Sequence, residues 1–160
     1  MFIKPDYNIG KVYELPAQEL KAQGIKVILL DLDSTVMISK TGKYLPETLE
    51  WFEQMQKDFK LAIVSNNKNP EYIENAQKIT PFLVVGDAKK PRTDGIRNAL
   101  KILEEKPECA VMVGDRPLTD ILAGKFAKTK TILVKSLGYE RESKFVHFVR
   151  WLERLFIRRF

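Results

Sequence analysis

Five short, nearly continuous apolar runs recur along the chain: KVILLD (26–31), KLAIVS (60–65), PFLVVG (81–86), CAVMVGD (109–115) and KTILVK (130–135). A strand with one face in water alternates apolar and polar residues, so runs of this kind belong to strands covered on both faces. Amphipathic stretches lie between them. LPETLEWFEQMQKDF (45–59) carries Leu49, Phe52, Met55 and Phe59 on one helical stripe, with Pro46 in its first turn. NPEYIENAQKI (69–79) begins with Asn69 as an N-cap and Pro70 just inside the helix. Ile96, Leu100 and Leu103 mark a helix over 93–105, and 117–126 reads as another. This alternation specifies an α/β fold, a Rossmann-like parallel sheet of about five strands with helices on both faces.

The 160 residues fit one domain spanning 1–160, with no repeat or low-complexity linker to divide it. At 44% hydrophobic and 30% charged residues, the composition excludes a disordered chain. No apolar run approaches the ~18–20 residues of a spanning helix. The start, MFIKPDYNIG, lacks the apolar centre of a secretory signal, and the single Cys109 cannot form an internal disulfide. Both point to the reducing cytoplasm. A net charge of +6 leaves nucleic acid, an anionic membrane surface and anionic small substrates as partners.

Polar residues gather where the apolar runs stop. In DLDST (31–35) two acids close the first strand. Residues two apart on a strand face the same way, so Asp31 and Asp33 would crowd one space. That costs free energy unless a cation, or a proton shared with a substrate, relieves it. Acid pairs also occur in plain turns. In the chemical reading Asp31 is a nucleophile and Asp33 a general acid and base. Ser65 suits either a helix cap or a phosphoryl oxygen, and Asn66 and Asn67 either add donors or build the turn. In AKKPRTDG, Pro91 restricts the residue before it, which makes Lys90 the inward cation and Lys89 the solvated one. In GDRPLTD, Asp115 follows a buried strand and would join Asp31 and Asp33 in a three-carboxylate site. Asp120, in the first turns of the next helix, serves that site or merely its own helix dipole. Hard oxygen donors without His or Cys select Mg²⁺.

Taken together, DxDxT, Ser, Lys and GDxxxxD resemble the haloacid dehalogenase superfamily of phosphatases. The resemblance implies that Asp31 forms an aspartyl-phosphate while Asp33 protonates the leaving group and then activates water. It implies that Ser65 and Lys90 hold the phosphoryl group, with Asn66 beside them. It further implies that Asp31, Asp115 and the backbone carbonyl of Asp33 bind Mg²⁺, with Asp120 and Thr35 in support. VILLDLDST, IVSNN, AKKP, VGDRPLTDILAGK and TILVK extend the likeness over most of the chain, to the YqeG-type branch (subfamily IIIA). That branch includes phosphatidylglycerophosphate phosphatases, so the resemblance implies a lipid substrate. Ser34, where relatives carry Asn or Asp, and the Arg116–Leu118 stretch depart from the branch pattern without touching a carboxylate.

The gaps from Thr35 to Ser65 and from Ser65 to Lys90 have no room for a cap domain, which predicts an open site suited to a phosphate on a bulky body. The tail SKFVHFVRWLERLFIRRF predicts a basic amphipathic helix over about 143–160. Phe145, Phe148, Val149, Leu152 and Phe156 share one face; Lys144, His147, Arg150, Arg154 and Arg158 lie opposite. This helix either docks its apolar face on the sheet or lies on an anionic membrane with Trp151 and Phe160 near the head groups. His147 reads as a helix-face residue. The expected partner is a phosphorylated substrate, an anionic phospholipid, met on the inner face of a membrane, with no specific nucleic acid. A soluble phosphatase for a sugar phosphate, nucleotide or phosphoprotein, and a non-catalytic receiver-like or nucleic-acid-binding module, are the competing readings.

Overall fold

A computed structural model describes residues 3–157. The five expected strands form one parallel sheet: β2 (Val27–Leu30), β3 (Lys60–Val64), β4 (Leu83–Val85), β5 (Ala110–Gly114) and β6 (Lys130–Leu133). A sixth, β1 (Tyr7–Asn8), pairs with β6 at the edge, giving the order β1-β6-β5-β2-β3-β4. This strand is two residues long, one half-buried and one exposed, so it leaves no apolar run to read. The helix α1 (Ala17–Ala22) also went unforeseen; within it only Leu20 is fully buried.

Strand alternation divides the core into two layers. Ile28, Leu30, Leu61, Ile63, Val111 and Val113 face one side. They pack under Leu20 of α1, Trp51 and Phe52 of α2 (Pro46–Gln56), and Ala76 of α3 (Pro70–Ile79). Val27, Leu29, Ala62, Val64, Ala110 and Met112 face the other side. There α4 (Asp94–Leu103) contributes Ile96, Ala99 and Leu100, and α5 (Leu122–Ala127) contributes Ala123 and Ala127. Asn69 caps α3 as expected, its side chain accepting from the backbone N–H groups of Glu71 and Tyr72. The predicted helix over 117–126 begins instead as a wide π-type turn, Pro117–Ile121, before α5.

The chain runs from β2 outward to β3 and β4, then returns to place β5 on the other side of β2. The direction of winding reverses between β2 and β5, and ligands in open parallel sheets bind beyond the carboxyl ends of strands at such a point. No cap domain interrupts the sheet; the final helix, α6 (Lys144–Arg154), is shorter than the expected 143–160. Arg158 and Phe160 lie outside the described residues.

Candidate active site

Asp31 and Asp115 directly follow the neighbouring strands β2 and β5, so the sheet spacing alone brings them together. Asp120 enters from the π-type turn. It lies so close over Gly114 that a side-chain carbon there would sit 2.3 Å from the carboxylate, which is why the residue before Asp115 has none. One oxygen from each of Asp31, Asp115 and Asp120 falls within 4.8 Å of the others.

Asp120 thus joins Asp31 and Asp115 in the tightest group of carboxylates, while Asp33 lines the same cavity beside them and adds its charge to those raising Asp31. β2 ends at Leu30, and the chain turns through residues 33–37 with Ser34 in the left-handed region (φ 69°). Strand alternation no longer applies beyond that point. The Asp33 carboxylate instead accepts a 2.6 Å hydrogen bond from the Tyr72 hydroxyl of α3. Burial and the facing Asp33 hold the Tyr72 phenol well above its ordinary range, so it remains a donor.

Lys90 reaches this cluster from the loop after β4. Its Nζ lies 2.8 Å from Asp31 and 2.7 Å from Asp120. Lys90 is buried, while Lys89, with φ 57°, is exposed. Burial opposes the Lys90 charge, but Asp120 and Asp31 outweigh it and push its pKa up, so the ammonium stays charged. Burial likewise raises Asp31 to about 6 against the pull of Lys90, and raises Asp120 to about 6 with Asp31 adding to the effect. Asp115 is raised by burial and by Asp120. Asp31, Asp115 and Asp120 with the Lys90 ammonium, and Arg150 shared between Asp115 and Glu142, leave the pocket short of positive charge, as a site for a hard cation should be.

The smaller groups hold this arrangement. Thr35 donates to Asp115 at 3.1 Å and leans toward Asp31 at 3.5 Å. The Asn66 side chain forms a two-way brace with the Lys90 backbone, accepting from its N–H at 2.7 Å and donating to its carbonyl at 3.0 Å. Ser65 is buried at the end of β3 and accepts from the Asn67 N–H at 3.1 Å. Ser65, Asn66, Lys90, Asp31 and Asp115 all line one cavity of about 520 Å³ at the carboxyl edge of the sheet.

The other wall of the cavity comes from the C-terminal segment, which no local sequence signal assigns to the site. Arg141, Glu142, Val146 and Arg150 line it. α6 docks, but with the face opposite to that expected. Arg150 and Glu153 are buried. Arg150 is hydrogen-bonded to Asp115 and Glu142, and Arg116 pairs with Glu153 at 2.7 Å. Phe145, Phe148 and Trp151 remain 72%, 53% and 56% exposed. Arg150 is thus a core ion-pair residue rather than part of a membrane-facing basic surface. His147 stacks on Tyr139 with ring centroids 4.0 Å apart, as a helix-face residue.

The comparisons with known proteins agree with this architecture. Residues 87–148 match the family model described as HAD-hyrolase-like. The chain is 30% identical over 154 residues to the probable phosphatase YqeG of Bacillus subtilis (strain 168), covering 96% of this chain and 88% of that one. It is 40% identical over 110 residues to a phosphoglycolate phosphatase of Aquifex aeolicus (strain VF5), covering 64% of this chain and 50% of the relative. Among solved structures, a HAD phosphatase from Thermococcus onnurineus superposes with a TM-score of 0.58 at 17% identity, over 72% of this chain and 90% of that one. A haloacid dehalogenase-like hydrolase from Streptococcus pneumoniae gives 0.58 at 15% identity, over 69% and 84%. The structural likenesses speak for the fold. The near full-length similarity to YqeG, with the family-model match, establishes that this chain belongs to the haloacid dehalogenase superfamily, alongside its YqeG-type members.

Proposed function

We propose that the chain is a metal-dependent phosphomonoesterase whose nucleophile is Asp31. The observation that carries this reading is Asp31 at the end of β2, 2.8 Å from a buried lysine and grouped with Asp115 and Asp120, with Asp33 two residues on. An Asp31 oxygen would attack phosphorus, and the departing alkoxide would take its proton from Asp33. Asp33 would then remove a proton from the water that attacks the aspartyl-phosphate, releasing inorganic phosphate and freeing Asp31. Tyr72 would orient Asp33 for both steps. Lys90 and Ser65 would receive the phosphoryl oxygens, and Asn66 and Asp120 would keep Lys90 in place. The oxygen-only donor set fits Mg²⁺, which Asp31, Asp115 and the Asp33 carbonyl would hold. When bound, the ion would neutralise charge on the phosphoryl group.

For the substrate we favour phosphatidylglycerophosphate. The support is the exposed apolar face of α6, whose other face forms one wall of the cavity. A helix placed so would rest on a lipid surface, with exposed Lys144 and Arg154 beside it for anionic head groups. No helix among the described residues is long and apolar enough to cross a membrane, so contact would be peripheral, at the inner membrane face. A soluble phosphomonoester is the second reading, favoured by the similarity to the phosphoglycolate phosphatase. Phosphate release from phosphatidylglycerophosphate in vesicles and from soluble phosphomonoesters, with and without Mg²⁺, tests both. Asp31→Asn should reduce release about 10³-fold or more while the protein stays folded. Wild-type turnover by that variant would remove Asp31 as the nucleophile.

A further inference from the structure

The proposed chemistry makes no use of Arg150, yet its guanidinium is fully engaged at the site. Its Nε and Nη2 donate to the two Glu142 oxygens at 2.7 and 2.8 Å, and its Nη1 donates to Asp115 Oδ2. Glu142 is fixed in turn by the hydroxyls of Ser136 at 2.5 Å and Ser34 at 3.3 Å. The other Asp115 oxygen accepts from Thr35. Asp115 thus has one oxygen on a neutral hydroxyl and the other on a cation carried by α6.

A divalent ion approaching Asp115 would meet the Arg150 charge across a single carboxylate, in a buried setting where like charges repel strongly. We infer that Arg150 is a positioning residue acting through Asp115: a tethered countercation that keeps the carboxylate in place and gives up its oxygen to an incoming divalent ion. Metal loading and the seating of α6 then oppose each other. The inference rests on the metal-dependent reading above. Linkage makes the effect reciprocal: whatever loosens α6 tightens the metal, and the metal loosens α6 by the same factor.

The Arg116–Glu153 pair supplies a second lever. It holds α6 three residues beyond Arg150, and although the Arg116 backbone N–H donates to Asp120 at 3.1 Å, a change at the Glu153 side chain leaves that backbone bond in place.

The test is calorimetric titration of the full chain with Mg²⁺ and Mn²⁺, with no substrate present and folding verified by circular dichroism. Arg150→Gln should bind either ion about tenfold tighter than wild type, and Glu153→Gln a smaller factor tighter. Hydrogen exchange gives the reciprocal reading: Mg²⁺ should speed exchange of the amides of residues 144–154 in the wild type and leave Arg150→Gln unaffected. Equal or weaker metal binding by folded Arg150→Gln, slower exchange in α6 with Mg²⁺, or no metal binding by any of the proteins would overturn the inference. Should Arg150→Gln fail to fold, Glu153→Gln and the exchange measurement decide it. Tighter metal binding without phosphate release from any substrate would uphold the role of Arg150 and sink the phosphatase reading.

Discussion

α4 and α6 are both strongly amphipathic, and they are seated in opposite senses. α4 turns Ile96, Ala99 and Leu100 into the sheet and leaves its polar residues outside. α6 turns Arg150 and Glu153 inward and leaves Phe145, Phe148, Trp151 and Leu152 in solvent. Periodicity establishes that a helix has two faces; what waits for it decides which face is buried. α4 meets a layer of Val, Leu and Ala, whereas α6 meets the carboxylate of Asp115 and the guanidinium of Arg116. A helix held by apolar area is stabilised with little regard to pH or ions, and a helix held by ion pairs answers to both.

The largest effect should come from attacking α4. Ile96 is wholly buried, so Ile96→Asp both removes its packing and places a carboxylate without a partner in the core. A loss of about 3–5 kcal/mol is expected in urea unfolding, as a shift of the whole cooperative transition. A loss below about 1 kcal/mol would mean that α4 is not held by its apolar face.

Glu142→Gln should cost less, and locally. It removes the charge that clamps two nitrogens of Arg150, an effect of about 1.5–3 kcal/mol on the seating of α6. Acid should do the same. Burial pushes the Glu142 carboxyl up, but hydrogen bonds from Arg150 and Ser136 outweigh this and hold it below its ordinary value of 4.5. A depressed carboxylate contributes stability above its ordinary pKa and loses it as pH falls through the folded value. The Arg150 Nε–H resonance should therefore be protected at neutral pH and lose protection on acidification below about 4.5. In Glu142→Gln it should be unprotected throughout. A resonance equally protected in the variant would place the hold on α6 elsewhere.

These contrasts also mark what could be read in the residues themselves. β2, β3, β5 and the helices α2, α3 and α4 announce themselves by runs and periods, because each signal is local. Asp31, Ser65 and Asp115 were legible for a related reason: a polar residue ending an apolar strand has to sit at the sheet edge, and adjacent strands bring such residues together. Asp33 shares the cavity with Asp31, but its partner Tyr72 was not legible, because strand alternation ends past Leu30, where the backbone leaves the strand at Ser34. Arg150 is 35 residues from Asp115, and nothing local records that contact. Glu142 and Tyr72 were missed on the same ground, each meeting its site partner only through the tertiary fold. The hint available was Glu153, an acid among the basic residues of the tail, whose position calls for a cation opposite it.

The smallest stability effect is expected on the outward face of α6, and it sharpens the comparison most. Phe148 and Trp151 stack at 6.0 Å on each other, while each remains more than half exposed. Replacing both with Ser removes surface that water already covers, so urea unfolding should shift by no more than about 0.5 kcal/mol. The corresponding change on α4 would be ruinous. If the exposed face rests on lipid, the same double variant should lose affinity for vesicles rich in phosphatidylglycerol, since Trp and Phe anchor helices at such interfaces. Phosphate release from lipid in vesicles should fall with it, while release from a small soluble phosphomonoester stays unchanged, because neither residue lines the cavity. High salt should weaken the remaining binding by screening Lys144 and Arg154. A large loss of stability would show that the face is covered rather than in water. Unchanged vesicle binding in a stable variant would remove the membrane from the reading and leave the soluble phosphomonoester as the substrate class.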